Sequence, residues 1–339
     1  MSTIPFHVVT GFLGSGKTTL VNALMTAGFG AGTVVIVNEF GEIGLDQDFI
    51  QAAAEEVLVL KNGCMCCLVR EDLVATLLKI GAMGSSARVE RVVIETSGIA
   101  DPLPILQTLR SDFSLRVRYH PGAVLCTVDA RTPPFGLYAT PESRAQVSAA
   151  DALVLTKTDL VPADKAEDLQ ILLMAANPDC TILPADSSAI AAFLLASETS
   201  ARSRFPIDLA RRSISASHSS DVRSAIVRDA EPRSWPVFAT WLSNLLYVHG
   251  DRILRTKAIL FDRSRDAWIG VHGVRRFLHP PVHLDFDSPP EGTDCIVFIV
   301  QGIDPARIVE SYRRHVAHQN PRNAEPAALA TMVSERTFQ

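Results

Sequence analysis

The stretch VVTGFLGSGKTTLVNAL, residues 8–24, places a glycine-rich turn between an apolar run and a helical pattern. Gly11, Gly16, Lys17 and Thr18 fit the spacing G-x-x-x-x-G-K-T, which is the signature of a phosphate-binding loop between a strand and a helix. Glycines at these positions let backbone N–H groups point into one concavity, and the N-terminus of the following helix adds partial positive charge. The spacing and its context therefore favour a phosphate site over a strand–helix turn that happens to contain Lys-Thr.

This loop predicts a nucleoside triphosphate and Mg²⁺ as ligands. Lys17 is expected to reach the β- and γ-phosphates, and Thr18 is expected to hold Mg²⁺ through its hydroxyl group. The residues of the loop that we expect to bind nucleotide are Gly11, Gly14, Ser15, Gly16, Lys17, Thr18 and Thr19.

The first half of the chain alternates short apolar runs with amphipathic stretches. Between several runs lie helical patterns such as REDLVATLLKI, in which Leu73 and Leu77 stand four residues apart. Strands that alternate with helices predict a mostly parallel sheet covered on both faces, the α/β architecture of a P-loop NTPase domain. The runs that we interpret as strands are HVVTG, TVVIVNEF, EEVLVL, RVVIETSG, AVLCTVDA, ALVLTKTD and TILPAD.

The second half of the chain predicts a separate, smaller domain. A length of 339 residues is enough for about two domains at roughly 150 residues each. The strand-like runs RILRTKAILF, DAWIGVHGV and CIVFIV, with helical patterns around PVFATWLSNLL and PARIVESYRRH, indicate a small α+β domain. We expect a P-loop domain over residues 1–198, a linker over 199–230, the α+β domain over 231–322 and a flexible tail over 323–339.

Composition and charge argue against several classes of protein. A net charge of −5 gives no reason to expect nucleic acid or an anionic membrane surface as a partner. No apolar run approaches the roughly 18 residues that a membrane-spanning helix needs. The opening residues MSTIPFHVVTG enter a strand pattern without the basic region of a signal peptide. We therefore expect a cytoplasmic protein, whose thiols stay reduced.

The end of the strand-like run RVVIETSG extends the predicted nucleotide site. RVVIETSG places Glu95 where a second carboxylate near Mg²⁺ is expected, and the amide of Gly98 is a candidate sensor of the γ-phosphate. A solvated glutamate at a strand end is the alternative. The residues that we expect to take part in catalysis are Lys17, Thr18 and Glu95.

The segment LVLTKTDL predicts guanine as the base. Asp159 would accept hydrogen bonds from N1–H and the exocyclic amine of guanine, and the aliphatic stem of Lys157 would cover the base and ribose. Thr156 stands where Asn is usual, and a threonine cannot offer an amide to the guanine ring. A Lys-x-Asp sequence in a solvated turn is the alternative.

The segment KNGCMCCLVR places Cys64, Cys66 and Cys67 within four positions of a chain with six cysteines. Thiolates are soft ligands that suit Zn²⁺, Co²⁺ or Cu(I). Cys64 can share an ion with either of the other two, and the missing ligands could come from Glu39 or Glu42 of NEFGEIGLDQDF, from a histidine or from water. That acidic segment could also change shape when the γ-phosphate leaves. A redox Cys-x-x-Cys pair and inert packing are the alternatives.

Taken together, these segments resemble the CobW-like GTPases, a family of metal chaperones and metallocentre-assembly GTPases. GFLGSGKTTL, NEFGEIGLD, NGCMCC, IETSGIADP and TKTDL match its motifs in order, and RTKAILF…WIGVHG…IVFIVQGID resembles its C-terminal domain. The resemblance implies GTP hydrolysis with Mg²⁺, coupled to the binding of a transition metal at Cys64, Cys66 and Cys67. Zinc is the expected metal, with cobalt or another transition metal as the alternative. The resemblance also implies delivery of that metal to a client metalloprotein. Two departures are Thr156 in place of Asn and a linker with only His218 where many members carry a histidine-rich run.

Two other functions stay open at this point. The first is a nucleotide-dependent regulatory module for a partner metalloenzyme, without metal carriage, which stoichiometric metal binding would exclude. The second is a small-molecule kinase, which shares the phosphate loop but does not explain CMCC. We expect slow intrinsic hydrolysis, because no water-positioning Gln or arginine finger stands out in the sequence. The sequence is compatible with a monomer or a homo-oligomer.

Overall fold

The computed structural model of the chain describes residues 3–37, 56–59, 67–83, 89–132, 140–177, 180–199, 222–228, 235–278, 280–284, 286 and 294–319. In chain order the strands and helices are β1 (Ile4–Gly11), α1 (Lys17–Leu24), β2 (Thr33–Val37), β3 (Glu56–Val59), α2 (Cys67–Met83), β4 (Arg91–Glu95), α3 (Leu103–Ser111), α4 (Phe113–Arg116), β5 (Tyr119–Asp129), α5 (Pro141–Ala149), β6 (Ala152–Thr156), α6 (Ala163–Ala176), β7 (Thr181–Pro184), α7 (Ser187–Thr199), β8 (Val222–Arg228), α8 (Trp235–His249), β9 (Ile253–Asp262), β10 (Ala267–Val274), β11 (Phe277–Leu278), β12 (Val282–Leu284), β13 (Cys295–Gln301) and α9 (Pro305–Gln319).

The first sheet has the predicted parallel architecture. Within the described residues it contains seven strands in the order β3-β2-β4-β1-β5-β6-β7, and every neighbouring pair is parallel. Each of the seven apolar runs predicted as a strand contributes one of them. Parallel strands need crossover connections, and the helices between them supply these. The prediction of a P-loop NTPase-like α/β domain is therefore confirmed.

Helices cover both faces of this sheet because its strands are apolar on both sides. Successive residues of a strand point to opposite faces, so Phe6 and Val8 of β1 join one core while Val9 joins the other. Helices α2, α3 and α4 bury Leu73, Leu77, Ile80, Leu103, Leu106 and Leu115 in the first core, and α1 and α7 bury Leu20, Leu24, Ile190 and Leu194 in the second. A fully buried side chain of this kind contributes roughly 1.5–3 kcal/mol to folding.

The second sheet is antiparallel and forms the predicted small α+β domain. Its described strands follow the order β11-β10-β9-β13-β8, with β12 paired to β10. Helices α8 and α9 pack against it through a core that includes Trp241, Leu245 and Tyr312. Val222–Arg228, the end of the range predicted as linker, forms strand β8 beside β13. The other predicted limits, those of the first domain and of the C-terminal tail, stay predictions.

A buried arginine connects the two domains. Arg255 of β9 donates to the carbonyl oxygens of Ser148 (3.0 Å) and Ala150 (2.7 Å) at the end of α5, and to Asp151 Oδ1 (2.7 Å). A cation at the C-terminus of a helix complements the carbonyl groups that have no partner within the helix. Val274 of β10 belongs to the apolar core of the first domain.

We find no helix among the described residues that is long and apolar enough to cross a bilayer.

Candidate functional site

The carboxyl ends of the central strands border a cleft of about 520 Å³. The order of the strands reverses at β1, which lies between β4 and β5, and open parallel sheets bind ligands in the crevice outside such a point. The volume lies within the roughly 300–1,000 Å³ of small-molecule sites. The described residues that line the cleft are Leu13, Gly14, Gly16, Lys17, Thr18, Thr19, Val37, Glu95, Thr96, Ser97, Gly98, Ile99 and Lys157.

The glycine-rich loop joins β1 to α1, as the motif predicts. Gly14 and Gly16 have φ angles of 71° and 93°, in the left-handed region that L-residues with side chains disfavour. Gly16 is the N-cap residue of α1 and no side chain caps the helix. The first N–H groups of a helix have no partner within the helix, so those at this helix start could donate to an anion in the cleft.

Thr18 and Glu95 meet although they lie on different elements. The Thr18 hydroxyl donates to Glu95 Oε1 at 2.6 Å. Parallel pairing explains the meeting, since Glu95 ends β4 opposite Val9 of β1, just before the loop. Lys17 Nζ donates to the Phe12 carbonyl oxygen at 3.2 Å and faces the same cleft. A hydroxyl and a carboxylate at this distance are hard oxygen donors of the kind that Mg²⁺ prefers.

The segment 96–101, called here the β4–α3 loop, forms another wall of the cleft. Gly98 is in close contact with Leu13 of the phosphate loop, so that a Cβ at position 98 would lie 2.7 Å from the Leu13 backbone nitrogen. From the other side, Gln146 of α5 donates to the carbonyl oxygens of Gly98 (3.1 Å) and Ala100 (3.0 Å). Gln146 is only 1% exposed. Gln146 is not among the predicted site residues, because its partners lie 46 and 48 residues away in the chain and no local motif marks it.

The predicted base-binding residues end β6 beside the phosphate loop. The Thr156 hydroxyl contacts the carbonyl oxygens of Ser15 at 2.8 Å and Val128 at 3.2 Å. Thr156 thus ties β6 to the phosphate loop, a contact that the sequence comparison with Asn did not predict. Lys157 has a left-handed φ of 57° and its ammonium group donates to the Gly14 carbonyl oxygen at 2.6 Å. Asp159 lies in an exposed 3₁₀ turn that follows.

Asp129 is a second residue that the sequence analysis missed. Its Oδ2 lies 2.8 Å from Lys157 Nζ and 2.7 Å from Arg131 Nη2, while Oδ1 accepts from Arg131 Nε at 3.1 Å. The hydrogen bonds from Arg131 and Lys157 outweigh partial burial and hold the pKa of Asp129 well below its usual range. Asp129 therefore stays charged at neutral pH and fixes the direction of the Lys157 side chain.

The predicted metal ligands lie almost entirely outside the described residues. This is the case for Cys64, Cys66, Glu39 and Glu42, and the structure describes only the backbone of Cys67, at the start of α2. Among the described residues, no group of three or more His, Cys, Asp or Glu side chains could hold a metal ion. The predicted cysteine site therefore stays a prediction.

Three cysteines outside this segment, Cys126, Cys180 and Cys295, are buried and form no disulfide. Cys126 lies in a strand of the first sheet and Cys295 in a strand of the second. Burial raises the pKa of the Cys126 thiol to about 12, although the positive charge of Lys17 opposes the shift. Cys126 therefore stays protonated and does not offer a thiolate to a metal ion.

Two family profiles match the chain. The profile described as CobW/HypB/UreG, nucleotide-binding domain, matches residues 5–184, and the profile of the cobalamin synthesis protein cobW C-terminal domain matches residues 222–314. The second match begins at the first residue of β8.

Curated proteins and solved structures are similar to the chain over different lengths. The zinc chaperone YjiA of Escherichia coli (strain K12) is 30% identical over 298 residues, which cover 85% of this chain and 90% of YjiA. The zinc chaperone CobW of Sinorhizobium sp is 31% identical over 188 residues, which cover 47% of this chain and 52% of that protein. The crystal structure of a Zn(II)-bound triple mutant of the YjiA GTPase superposes with a TM-score of 0.69 at 25% identity, covering 93% of this chain and 99% of that one.

Proposed function

The chain belongs to the CobW/HypB/UreG family of P-loop GTPases, and we propose that it is a metallochaperone that couples GTP hydrolysis to the carriage of Zn²⁺. The observation that carries this proposal is the 2.6 Å contact between Thr18 and Glu95 in a cleft bordered by the phosphate loop. It supports a site for a triphosphate with its cation. The name of the similar protein YjiA, a zinc chaperone, supports zinc as the cargo.

The phosphate loop would bind the triphosphate. Backbone N–H groups from Gly14 to Thr19 would face the phosphates, and Lys17 would exchange its bond to the Phe12 carbonyl for one to the β- and γ-phosphates. The described residues of the cleft include neither Arg nor Gln. This composition supports slow intrinsic hydrolysis, because those side chains supply transition-state charge or orient the attacking water in faster relatives of this fold.

Thr18 and Glu95 fit Mg²⁺. This ion usually takes one or two protein oxygens and completes its octahedron with phosphate oxygens and water. When bound, Mg²⁺ would neutralise charge that develops on the phosphates. Thr18 would supply the direct protein ligand and Glu95, now its hydrogen-bond acceptor, would hold the hydroxyl or a metal-bound water in place.

Guanine would bind at the end of β6. Asp159 would accept from the base, and Lys157 would lay its stem along the base and ribose, held in direction by Asp129 and the Gly14 carbonyl. Thr156 would act on the base indirectly, through its bond to Ser15.

The cargo metal would bind to thiolates of Cys64, Cys66 and Cys67, with Glu39 or Glu42 as further ligands. Thiolates and carboxylates suit Zn²⁺ and also Co²⁺. The described parts of the fold support a site near the nucleotide. Strand β3 ends at Val59 on the same edge of the parallel sheet as β1, and α2 begins at Cys67. The client would be a metalloprotein that receives the ion when hydrolysis changes the site.

The test is a metal titration of the full chain in two nucleotide states. Zn²⁺ and Co²⁺ are titrated in the presence of Mg²⁺ with a non-hydrolysable GTP analogue or with GDP, for wild type and for the variant Cys64→Ser, Cys66→Ser, Cys67→Ser. Wild type should bind one ion with dissociation constants that differ between the nucleotide states by roughly 5- to 150-fold, the usual range of such couplings. The cysteine variant should bind nucleotide normally and lose the difference.

Two outcomes would contradict the proposal. Equal metal affinity in both nucleotide states would remove the driving step and favour a nucleotide-dependent regulatory module. Normal GTP hydrolysis by Lys17→Ala would place the active loop elsewhere.

A further inference from the structure

The β4–α3 loop, residues 96–101, lies between the nucleotide cleft and the second domain. Its first four residues line the cleft. Its last residue, Asp101, is not among the residues that line the cleft, and its carboxylate accepts a hydrogen bond from the Leu103 amide at the start of α3 (3.0 Å). The same carboxylate faces the second domain. Any change in the shape of this loop would therefore change what the second domain contacts.

Arg275 of the second domain contacts the loop directly. Its Nη1 lies 3.5 Å from Asp101 Oδ2, and the two side chains are 34% and 28% exposed, so the pair is partly shielded from water. Opposite charges at this distance attract more strongly near a protein surface than in bulk water.

The backbone of Arg275 is unusual for an arginine. Val274 pairs with Phe277, so Arg275 is the first residue of a two-residue hairpin turn between β10 and β11. Its φ angle is 50°, a left-handed conformation for which such turns favour Gly or Asn. A charged side chain is retained here at a conformational cost, and residues held in this way often serve a functional contact.

A second connection reaches the same loop from α5. Gln146 holds the carbonyl oxygens of Gly98 and Ala100, and the end of the same helix is bound by Arg255 of the second domain. Helix α5 has nine residues, so it joins these two contacts through a single short element. The loop is therefore held at two points, and both lead to the second domain.

We propose that Arg275 is a positioning residue for GTP hydrolysis, which acts through Asp101 to hold the β4–α3 loop in the shape that presents Gly98 to the γ-phosphate. This inference rests on the proposed function. Its consequence is that the contact between the domains and the presence of the γ-phosphate are linked. By reciprocity, a contact that the triphosphate strengthens must strengthen triphosphate binding by the same factor.

The experiment compares two neighbouring arginines in the full chain. Arg275→Asn removes the charge and keeps a residue that tolerates the left-handed turn. Arg276→Asn is the matched control, because Arg276 pairs with Asp251 of its own domain (2.6 Å). Arg275→Lys restores the charge. For each protein the dissociation constants of a Mg²⁺-bound GTP analogue and of Mg²⁺-GDP are measured by calorimetry, together with kcat and KM for GTP.

We expect Arg275→Asn to lower the preference for the triphosphate analogue over GDP by about fivefold, the weak end of typical coupling because the pair is partly exposed, and to lower kcat. Arg276→Asn should leave that preference unchanged, and Arg275→Lys should recover part of it. Asp101→Asn is measured alone and combined with Arg275→Asn. The double variant should lose no more of the preference for the triphosphate analogue than the more affected single variant, since the effects of residues that act through one contact are not additive.

An unchanged or increased preference in Arg275→Asn, or an equal loss in Arg276→Asn, would overturn the inference. Failure of the proposed function would be visible separately, as equal metal affinity of wild type in the GTP-analogue and GDP states.

Discussion

Arg255 and Asp151 form a buried ion pair between the two domains, with side chains that are 1% and 8% exposed. We consider the substitution Arg255→Met, which keeps an unbranched side chain but removes the guanidinium group. It would leave Asp151 without its 2.7 Å partner and remove the donor to the carbonyl oxygens of Ser148 and Ala150. The contact between the domains thereby loses the 2.7 Å ion pair of Arg255 with Asp151, while the apolar packing nearby is retained.

The structure sets the expected size of the effect. Removing one partner of a buried pair typically costs ~3–5 kcal/mol, because the remaining charge stays desolvated. Asp151 keeps two other contacts, since the Val124 amide donates to Oδ2 at 2.9 Å and Lys257 Nζ lies 3.9 Å from Oδ1. We therefore expect the lower end, ~3 kcal/mol of unfolding free energy. Arg263→Met, at an exposed position of the following turn, is the control and should change stability by less than ~0.5 kcal/mol.

The assay is urea unfolding followed by two signals. The three tryptophans of the chain, Trp235, Trp241 and Trp268, all belong to the second domain, so their fluorescence reports that domain. Far-ultraviolet circular dichroism, in which helices give the strongest signal, reports both domains. Arg255→Met should move the fluorescence transition to lower urea and separate it from the circular dichroism transition. A shift no larger than that of Arg263→Met would refute the assignment of the pair as a stabilising contact.

Substitutions of Glu198, Thr156 and Asp159 test three further side chains. Burial alone would raise the pKa of Glu198, but hydrogen bonds and charge from His7 and Arg91 hold this pKa below the ordinary value of 4.5. The ionised Glu198 therefore stabilises the fold at pH values above 4.5, and this stabilisation is lost as the pH falls through the lowered pKa. Thermal unfolding from pH 7 to pH 3 should therefore show a smaller loss in Glu198→Gln than in wild type. Thr156→Val removes the donor to the Ser15 carbonyl and should weaken GTP and GDP alike by ~1–3 kcal/mol, whereas Thr156→Ser should not. Asp159→Asn should shift preference from guanine toward xanthine nucleotides in competition binding, and equal binding of ATP and GTP by wild type would refute the guanine assignment.

Much of the fold was readable from local patterns. Each apolar run that was predicted as a strand of the first domain forms a strand in the structure, because strands buried on both faces must be continuously apolar. The motif around Lys17 specified a strand, a turn with left-handed glycines and a helix, and the structure contains all three. The family predicted from the order of the motifs is confirmed by both family profiles. The cysteine site stays a prediction, since Cys64 and Cys66 lie outside the described residues.

Other features depend on groups that are far apart in the chain. Val222–Arg228 lies within the range predicted as a linker, yet it forms a strand, because β13 offers hydrogen-bonding partners and the core of the second domain takes up Ala225 and Val227. Local periodicity does not contain that information.

The contacts around the cleft show the same division. The residue types at Lys17, Thr18 and Glu95 could be assigned from spacing, because the phosphate loop and the end of the next central strand are recurrent neighbours in this kind of sheet. The roles of Gln146 and Arg275 could not be assigned from spacing, because the function of a buried amide or of an arginine in a hairpin depends on partners that only tertiary packing brings within hydrogen-bond distance. Spacing along the chain identifies chemistry that one segment carries, whereas the close approach of two segments is decided by how the helices and sheets bury their apolar faces.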